Sequence, residues 1–296
     1  MAKRKLLLDT DIGSDIDDAA CLAWLLRQED CELLGITTVS GQPERRAAVA
    51  SALTHAAGRE DIPIHAGTPD PIWGRNIQPR CPQADLLQGL AHGEGYETGS
   101  AIPFLRDVIR AHPGEITLLA IGPMSNVGLL FAMDPELPSM LAGLALMCGS
   151  FGTPLRPPGH REWNAKADPY ATARAYQAAC PLHRSYGLDV TVQVQMERAD
   201  FLAKAREDPL LRAVAQLSAE WFTRSPVITF HDPLAAVGIL DPDVCGYVRG
   251  QVCVSLEEES LGRTDFTPSE QGVHDIATNV HCDRFFDRFF GAFGKA

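Results

Sequence analysis

From Leu8 to Ala19 the chain reads Leu-Asp-Thr-Asp-Ile-Gly-Ser-Asp-Ile-Asp-Asp-Ala, which puts five carboxylates, Asp9, Asp11, Asp15, Asp17 and Asp18, into ten positions. Carboxylates this close repel one another, which raises their pKa values and costs stability unless a cation neutralises them. Oxygen-only donors suit a hard divalent ion, Ca²⁺ or Mg²⁺, rather than zinc. Part of the cluster has a purely structural use: Asp9 can end a strand, Gly13 can make a turn, and Asp15, Asp17 and Asp18 favour a helix N-terminus through its dipole. Capping cannot employ all five, so the cluster is read as a metal or substrate site.

Such a cluster needs a rigid frame, and the hydropathy pattern supplies one. Short apolar runs alternate with longer amphipathic ones, the grammar of βα units stacked into a mainly parallel sheet flanked by helices. Residues 5–8 read as a buried strand, 17–27 as a helix and 32–39 as a second strand, followed by a helix over 44–57. The pattern returns at 116–121, with a helix running through Phe131, and at 144–147. A further strand is expected at 185–190, and a helical region over 197–222. Ligands of open α/β sheets bind beyond the carboxyl ends of the strands, which is where the acidic cluster falls. Residues 69–99 form a long Pro-, Gly- and Gln-rich loop; such loops are usually functional or mobile. No composition break divides the chain, so residues 1–296 are read as one α/β domain.

Composition narrows the function. Lys and Arg total 26 against 38 Asp and Glu, a formal net charge of −12, and the only basic cluster is Lys3-Arg4-Lys5. Binding along nucleic-acid phosphates or an anionic membrane needs clustered cations, so neither partner is expected. No segment has the length of a membrane span or the apolar core of a signal peptide. Eight cysteines without Cys-x-x-Cys or zinc spacing suit a reducing compartment, and the chain is read as cytoplasmic.

Two local motifs are weighed against the acidic run. An EF-hand loop requires a ligand where Gly13 stands, and fails. A haloacid-dehalogenase-type phosphatase also opens with a strand and Asp-x-Asp, with Asp9 as nucleophile and Mg²⁺ beside it; that family usually carries Thr or Val where this chain has Gly13, and no clear set of basic residues accompanies the cluster.

The run Leu-Asp-Thr-Asp-x-Gly with Asp-Asp-Ala shortly after it resembles the inosine–uridine-type nucleoside hydrolase family. The likeness continues, in order, through residues 34–39 with Gly41, Asp61-Ile62-Pro63-Ile64 with Ala66-Gly67, Gly122-Pro123-Met124-Ser125-Asn126, Glu162-Trp163-Asn164 with Asp168-Pro169, residues 188–191, and His231-Asp232-Pro233. The resemblance implies the nucleoside hydrolase fold, a bound Ca²⁺, and hydrolysis of the N-glycosidic bond of a ribonucleoside to ribose and free base by a Ca²⁺-bound water that an Asp activates. Carried over by motif, Asp11, Asp18 and Asp232 are the side-chain metal ligands, Ile121 gives its backbone carbonyl, and Asp11 doubles as the general base. Asp17, Asn164 and Glu162 hold the ribose, Met147 and Trp163 line it, and Gln42 reaches the ribose or the metal-bound water.

His231 is the candidate acid for the departing base, since imidazole titrates near neutrality, and His92 is assigned a contact at the pocket entrance. The family also implies a homodimer or homotetramer. Relatives commonly have Pro where this chain has Ile12, and a shorter gap before the paired Asp, so Asp15 competes with Asp17 and Asp18 for their roles. No purine or pyrimidine signature is visible in residues 69–99 or 220–229; Trp221 and Phe222 offer rings that could stack on a base, though burial in a helix is expected of both, and the aromatic segment after Val280 is expected to pack on its own domain. The alternatives carried forward are the Mg²⁺ phosphatase and a nucleoside-binding protein without catalysis.

Overall fold

The computed structural model describes residues 3–152 and 159–294. The strands among them are β1 (Arg4–Thr10), β2 (Cys31–Thr38), β3 (Ile64–Ala66), β4 (Ile116–Ala120), β5 (Gly143–Leu146), β6 (His183–Ser185), β7 (Gln195–Glu197), β8 (Val227–Thr229), β9 (Cys245–Val254), β10 (Thr264–Pro268) and β11 (His274–Val280). Nine of them form one sheet in the order β10-β9-β11-β6-β5-β4-β1-β2-β3, and β7 pairs with β8 separately. Every pairing from β3 across to β11 is parallel, while β9 and β10 extend the edge antiparallel. The result is a single α/β domain with a mainly parallel sheet, as the alternating pattern implies.

The middle strand shows why the sheet forms. In β1, Leu6, Leu7 and Leu8 are all buried. Leu6 and Leu8 join Ala20 and Trp24 of the helix Asp17–Leu26 in one core, whereas Leu7 joins Ile109 and Phe131 in the other. A strand apolar on both faces is stable only between two helical layers. Because β1 has β2 on one side and β4 on the other, the chain order reverses there, and a crevice opens beyond its carboxyl end.

Three local expectations are corrected. The strand expected at 185–190 is β6 for its first residue only, and Leu188–Thr191 is a helical turn. Leu188 N–H bonds to Gly149 O and the Asp189 carboxylate accepts from Phe151 N–H, so tertiary partners turn an apolar run that has no clear period of its own. The helical region over 197–222 is broken: Asp208 accepts from the amides of Leu210 and Leu211 and starts a new helix, Pro209–Leu217, with Pro in its first position. The antiparallel edge of β9 and β10 lies outside the βα pattern read from the sequence.

The terminal helix, Cys282–Phe290, packs on its own domain as expected, burying Phe285 and Phe289 around Phe230. Within residues 69–99 the regular structure is one short 3₁₀ turn, Pro82–Leu86.

Candidate active site

Three parts of the chain meet at the crevice, the first two bringing carboxylates. The first leaves β1 at Asp11, then turns at Gly13, whose φ of +121° favours glycine and where a Cβ would collide with Cys81 Sγ. That turn lets Asp15 and the first turn of the helix Asp17–Leu26 swing back toward Asp11. The second segment is the helix His231–Leu240, whose second residue is Asp232; its N–H donates to Asp17 Oδ2 at 3.2 Å. The third follows β4 and β5 and supplies Ile121 and Met147. Carboxylate oxygens of Asp17, Asp18 and Asp232 lie within 4.8 Å of one another, a group that could hold a metal ion.

The eleven residues to which the family resemblance gives a catalytic, ribose or metal role, Asp11, Asp17, Asp18, Gln42, Ile121, Met147, Glu162, Trp163, Asn164, His231 and Asp232, line one cavity of about 870 Å³. Asn164 Nδ2 donates to Ile121 O at 2.8 Å and Met147 O at 3.0 Å, tying the ends of β4 and β5 to the short helix Trp163–Ala167. Glu162 caps that helix: Oε1 accepts from Asn164 N–H at 2.7 Å, while Oε2 accepts from Ala165 N–H and Gly149 N–H. Its carboxylate thus orients the backbone that carries Asn164. Gln42 sits in a left-handed conformation with φ 58° and accepts from Cys81 N–H at 2.9 Å. His231 Nδ1 lies 2.7 Å from Thr191 Oγ1.

Burial is the leading influence on every acid here. It raises Asp11 above the usual carboxylate range, against the opposing pull of the Arg46 guanidinium and the Gln78 hydrogen bond. Burial, then repulsion from neighbouring acids, pushes Asp17, Asp18 and Asp232 well up. Asp15 is pushed up to about 7, again chiefly by burial. Acids raised in this way gain most from a cation that restores their ionised form.

Asp9 stands apart from the group. It is fully buried, outside the cavity lining, and its Oδ1 accepts from Thr37 Oγ1 at 2.5 Å and Asn126 Nδ2 at 2.7 Å. On β1 it shares the Leu7 face, beneath the helix Ser125–Met133, which leaves a substrate phosphate no route to its carboxylate. His92 is also absent from the lining and turns its Nδ1 to Leu90 O.

Several cavity residues escaped the sequence reading. Gln78, from the long loop, donates from Nε2 to Asp11 Oδ2 at 2.8 Å and accepts at Oε1 from Trp163 Nε1 at 2.6 Å. Trp221 was expected to be buried; it is half-buried, lines the cavity and donates to Val227 O, while Phe222 is buried. The cations Arg45, Arg80, Arg161, Lys166 and Arg224 also line the cavity, from separate helices and loops, so no local run of the sequence reveals them.

Known proteins resemble this chain over nearly its whole length. The family model described as inosine-uridine preferring nucleoside hydrolase matches residues 6–287. Uridine nucleosidase 1 of Arabidopsis thaliana is 28% identical over 279 residues, covering 88% of this chain and 81% of the relative. Pyrimidine-specific ribonucleoside hydrolase RihB of Escherichia coli is 31% identical over 217 residues, covering 67% and 66%. Among solved structures, a plant nucleoside hydrolase superposes with a TM-score of 0.85 at 23% identity over 99% of both chains. A purine-preferring ribonucleoside hydrolase from Gardnerella vaginalis superposes with 0.83 at 21%, covering 99% of this chain and 100% of that one. These two likenesses establish the fold, and the model match over nearly the whole chain shows that the protein belongs to the inosine-uridine preferring nucleoside hydrolase family.

Proposed function

We propose that the cavity hydrolyses the N-glycosidic bond of a ribonucleoside, releasing ribose and free base, with Ca²⁺ held by Asp11, Asp18, Asp232 and the main-chain oxygen of Ile121. The supporting observation is the convergence of buried, mutually repelling carboxylates from separate segments on one cavity, where Asp18 and Asp232 have oxygens within 4.8 Å of each other and of Asp17, the acid assigned to ribose. An all-oxygen donor set fits a hard divalent cation. When bound, the ion neutralises the cluster and lowers the pKa of water beside it.

The chain's own groups carry the remaining steps. Asp11 accepts a proton from the attacking water at its carboxylate, with Gln78 fixing Oδ2. Asp17 and Asn164 bind ribose hydroxyls, Glu162 holds Asn164 in place, and Met147 and Trp163 wall the sugar. Ribose departs with oxocarbenium-like positive charge, which the acidic floor stabilises. His231, at the cavity edge, protonates the leaving base. The sequence relatives named for uridine and pyrimidine nucleosides make uridine the first substrate to try. Eight free thiols favour a reducing, cytoplasmic location. A homodimer or homotetramer remains the assembly implied by the family.

The test is release of free base and reducing sugar from purine, pyrimidine and modified nucleosides, with Ca²⁺ or with chelator, beside a phosphatase control. Chelator-sensitive base release is expected. Phosphate release, or no base from any nucleoside despite Ca²⁺ binding, overturns the assignment. In the same assay, His231→Ala should slow nucleosides with poor leaving groups far more than p-nitrophenyl riboside; equal slowing removes its acid role.

A further inference from the structure

Among the described residues, Arg46 is the largest charged side chain with no exposure to solvent. Among the described residues it forms no ion pair, although a buried cation ordinarily needs one. Instead its guanidinium spends its donors on backbone carbonyls of three loops. Nε donates to Ser40 O at 3.1 Å and Gly41 O at 2.9 Å. One terminal nitrogen donates to Asp11 O, to Ile12 O at 3.1 Å and to Ser14 Oγ at 3.1 Å. The other reaches Arg80 O at 3.0 Å and Gln78 O at 3.4 Å.

Each of these loops delivers a cavity residue. The first carries Asp11, the second carries Gln42, and the third carries Gln78. The second loop also contains Ser40 and Gln42 at φ 70° and 58°, the two non-glycine residues with positive φ among those described. Such conformations persist only where the surroundings over-determine them. Because Arg46 grips the main chain, the side chains of Asp11 and Gln78 are left to face the cavity. There Gln78 joins the Asp11 carboxylate to the Trp163 indole.

We propose that Arg46 is a positioning residue for the reaction: by clamping the carbonyls of three loops, it sets the attitude of the Asp11 carboxylate and of the Gln78 amide that bridges it to Trp163. The rigid fork of arginine is what reaches three loops at once; a lysine ammonium is a single point of donation. The inference rests on the cavity being the nucleosidase site, and its test separates the two ideas.

Arg46→Lys and Gln78→Leu are compared with the wild-type full chain in thermal unfolding, in kcat and KM for the best nucleoside, and in tryptophan emission, the last also in a Trp163→Phe background. Arg46→Lys should remain folded, lower kcat by about 30-fold or more with KM within about threefold, and change the emission by a component that disappears when Trp163 is absent. Gln78→Leu should reproduce both effects with a smaller loss of thermal stability, and combining it with Arg46→Lys should add little to the loss in kcat. Wild-type kcat in either variant overturns the proposal. So does a change in emission that survives in the Trp163→Phe background. Should Arg46→Lys fail to fold, Gln78→Leu alone decides. If the wild-type chain hydrolyses no nucleoside, the emission comparison still judges the clamp, so the two failures remain distinct.

Discussion

Two nests of buried titratable groups sit at different places on the sheet and are built on opposite plans. Beside β6 and β11, Tyr176 stacks on His183 and His274 meets both edge-on, with ring centroids 4.6 to 5.4 Å apart. His183 Nε2 faces Ala175 O, His274 Nε2 faces Tyr176 O, His274 Nδ1 accepts from Val252 N–H, and the Tyr176 hydroxyl meets Ser185. Burial lowers both imidazoles, His183 to about 3, so they stay neutral. At the carboxyl end of β1 the acids are instead crowded against their own kind and open into a cavity. The first nest finds its partners within the protein, except at His183 Nδ1, which is buried without one. The second is stable as anions only with something added, and it is this unresolved repulsion, not burial or polarity alone, that marks a site.

The contrast can be broken most sharply at Asp11. Asp11→Ala should cut kcat by on the order of 10³-fold while the calcium-free protein melts no lower than wild type, because one repelling acid has gone; retained hydrolysis would show that Asp11 is no general base. Next in size is the effect of the ion: Ca²⁺ at about 100 times its Kd should stabilise the chain by about 2.7 kcal/mol. Calorimetry should find that gain lost in the Asp18→Asn, Asp232→Asn double variant and kept in His183→Gln. An equal gain in all three would place the ion elsewhere.

A slightly smaller effect belongs to the neutral nest. With His183 near 3 in the folded state and at the ordinary 6.5 when unfolded, the unfolded chain binds the extra proton between those values. Stability from this group is full above pH 6.5 and declines as pH falls toward 3, by about 2 kcal/mol at pH 5. Denaturant unfolding of His183→Gln across pH 5 to 7.5 should therefore show a shallower acid limb than wild type. Smallest of all is Asp9→Asn. Asp9 lies outside the cavity lining and accepts from Thr37 and Asn126 at Oδ1, its Oδ2 being buried without a partner, so nucleosidase kcat should change by less than about threefold. Loss of all activity would return Asp9 to the chemistry and revive the phosphatase reading.

What the sequence disclosed follows from how local each signal is. Leu6, Leu7 and Leu8 announce a strand buried on both faces, and Asp11 to Asp18 announce charge at its end, because each group is contiguous. Glu162-Trp163-Asn164 and His231-Asp232 are equally short, and the family's ordered motifs carry them to one cavity. Gln78 and Arg46 were invisible for the opposite reason. Gln78 lies in an irregular loop with no period to read, and Arg46 looks like any cation on the polar face of a helix until the fold closes three loops over it. The turn at Leu188–Thr191 was misread because its apolar run fits a buried strand or a helix equally well, and only the Gly149 and Phe151 contacts decide.

The hydrogen bond between Asp17 and Asp232 joins residues 215 positions apart, and the helix bearing Asp232 follows directly on Phe230, which the terminal aromatic helix encloses. During synthesis, then, Asp11, Asp17 and Asp18 emerge long before their partner, and the clasp that seats the partner is made later still. Contacts of such high sequence separation form late and slowly. A divalent ion that requires all of these ligands would therefore bind only to a chain whose topology is already finished, so that ion uptake would report completed folding as well as readiness for catalysis.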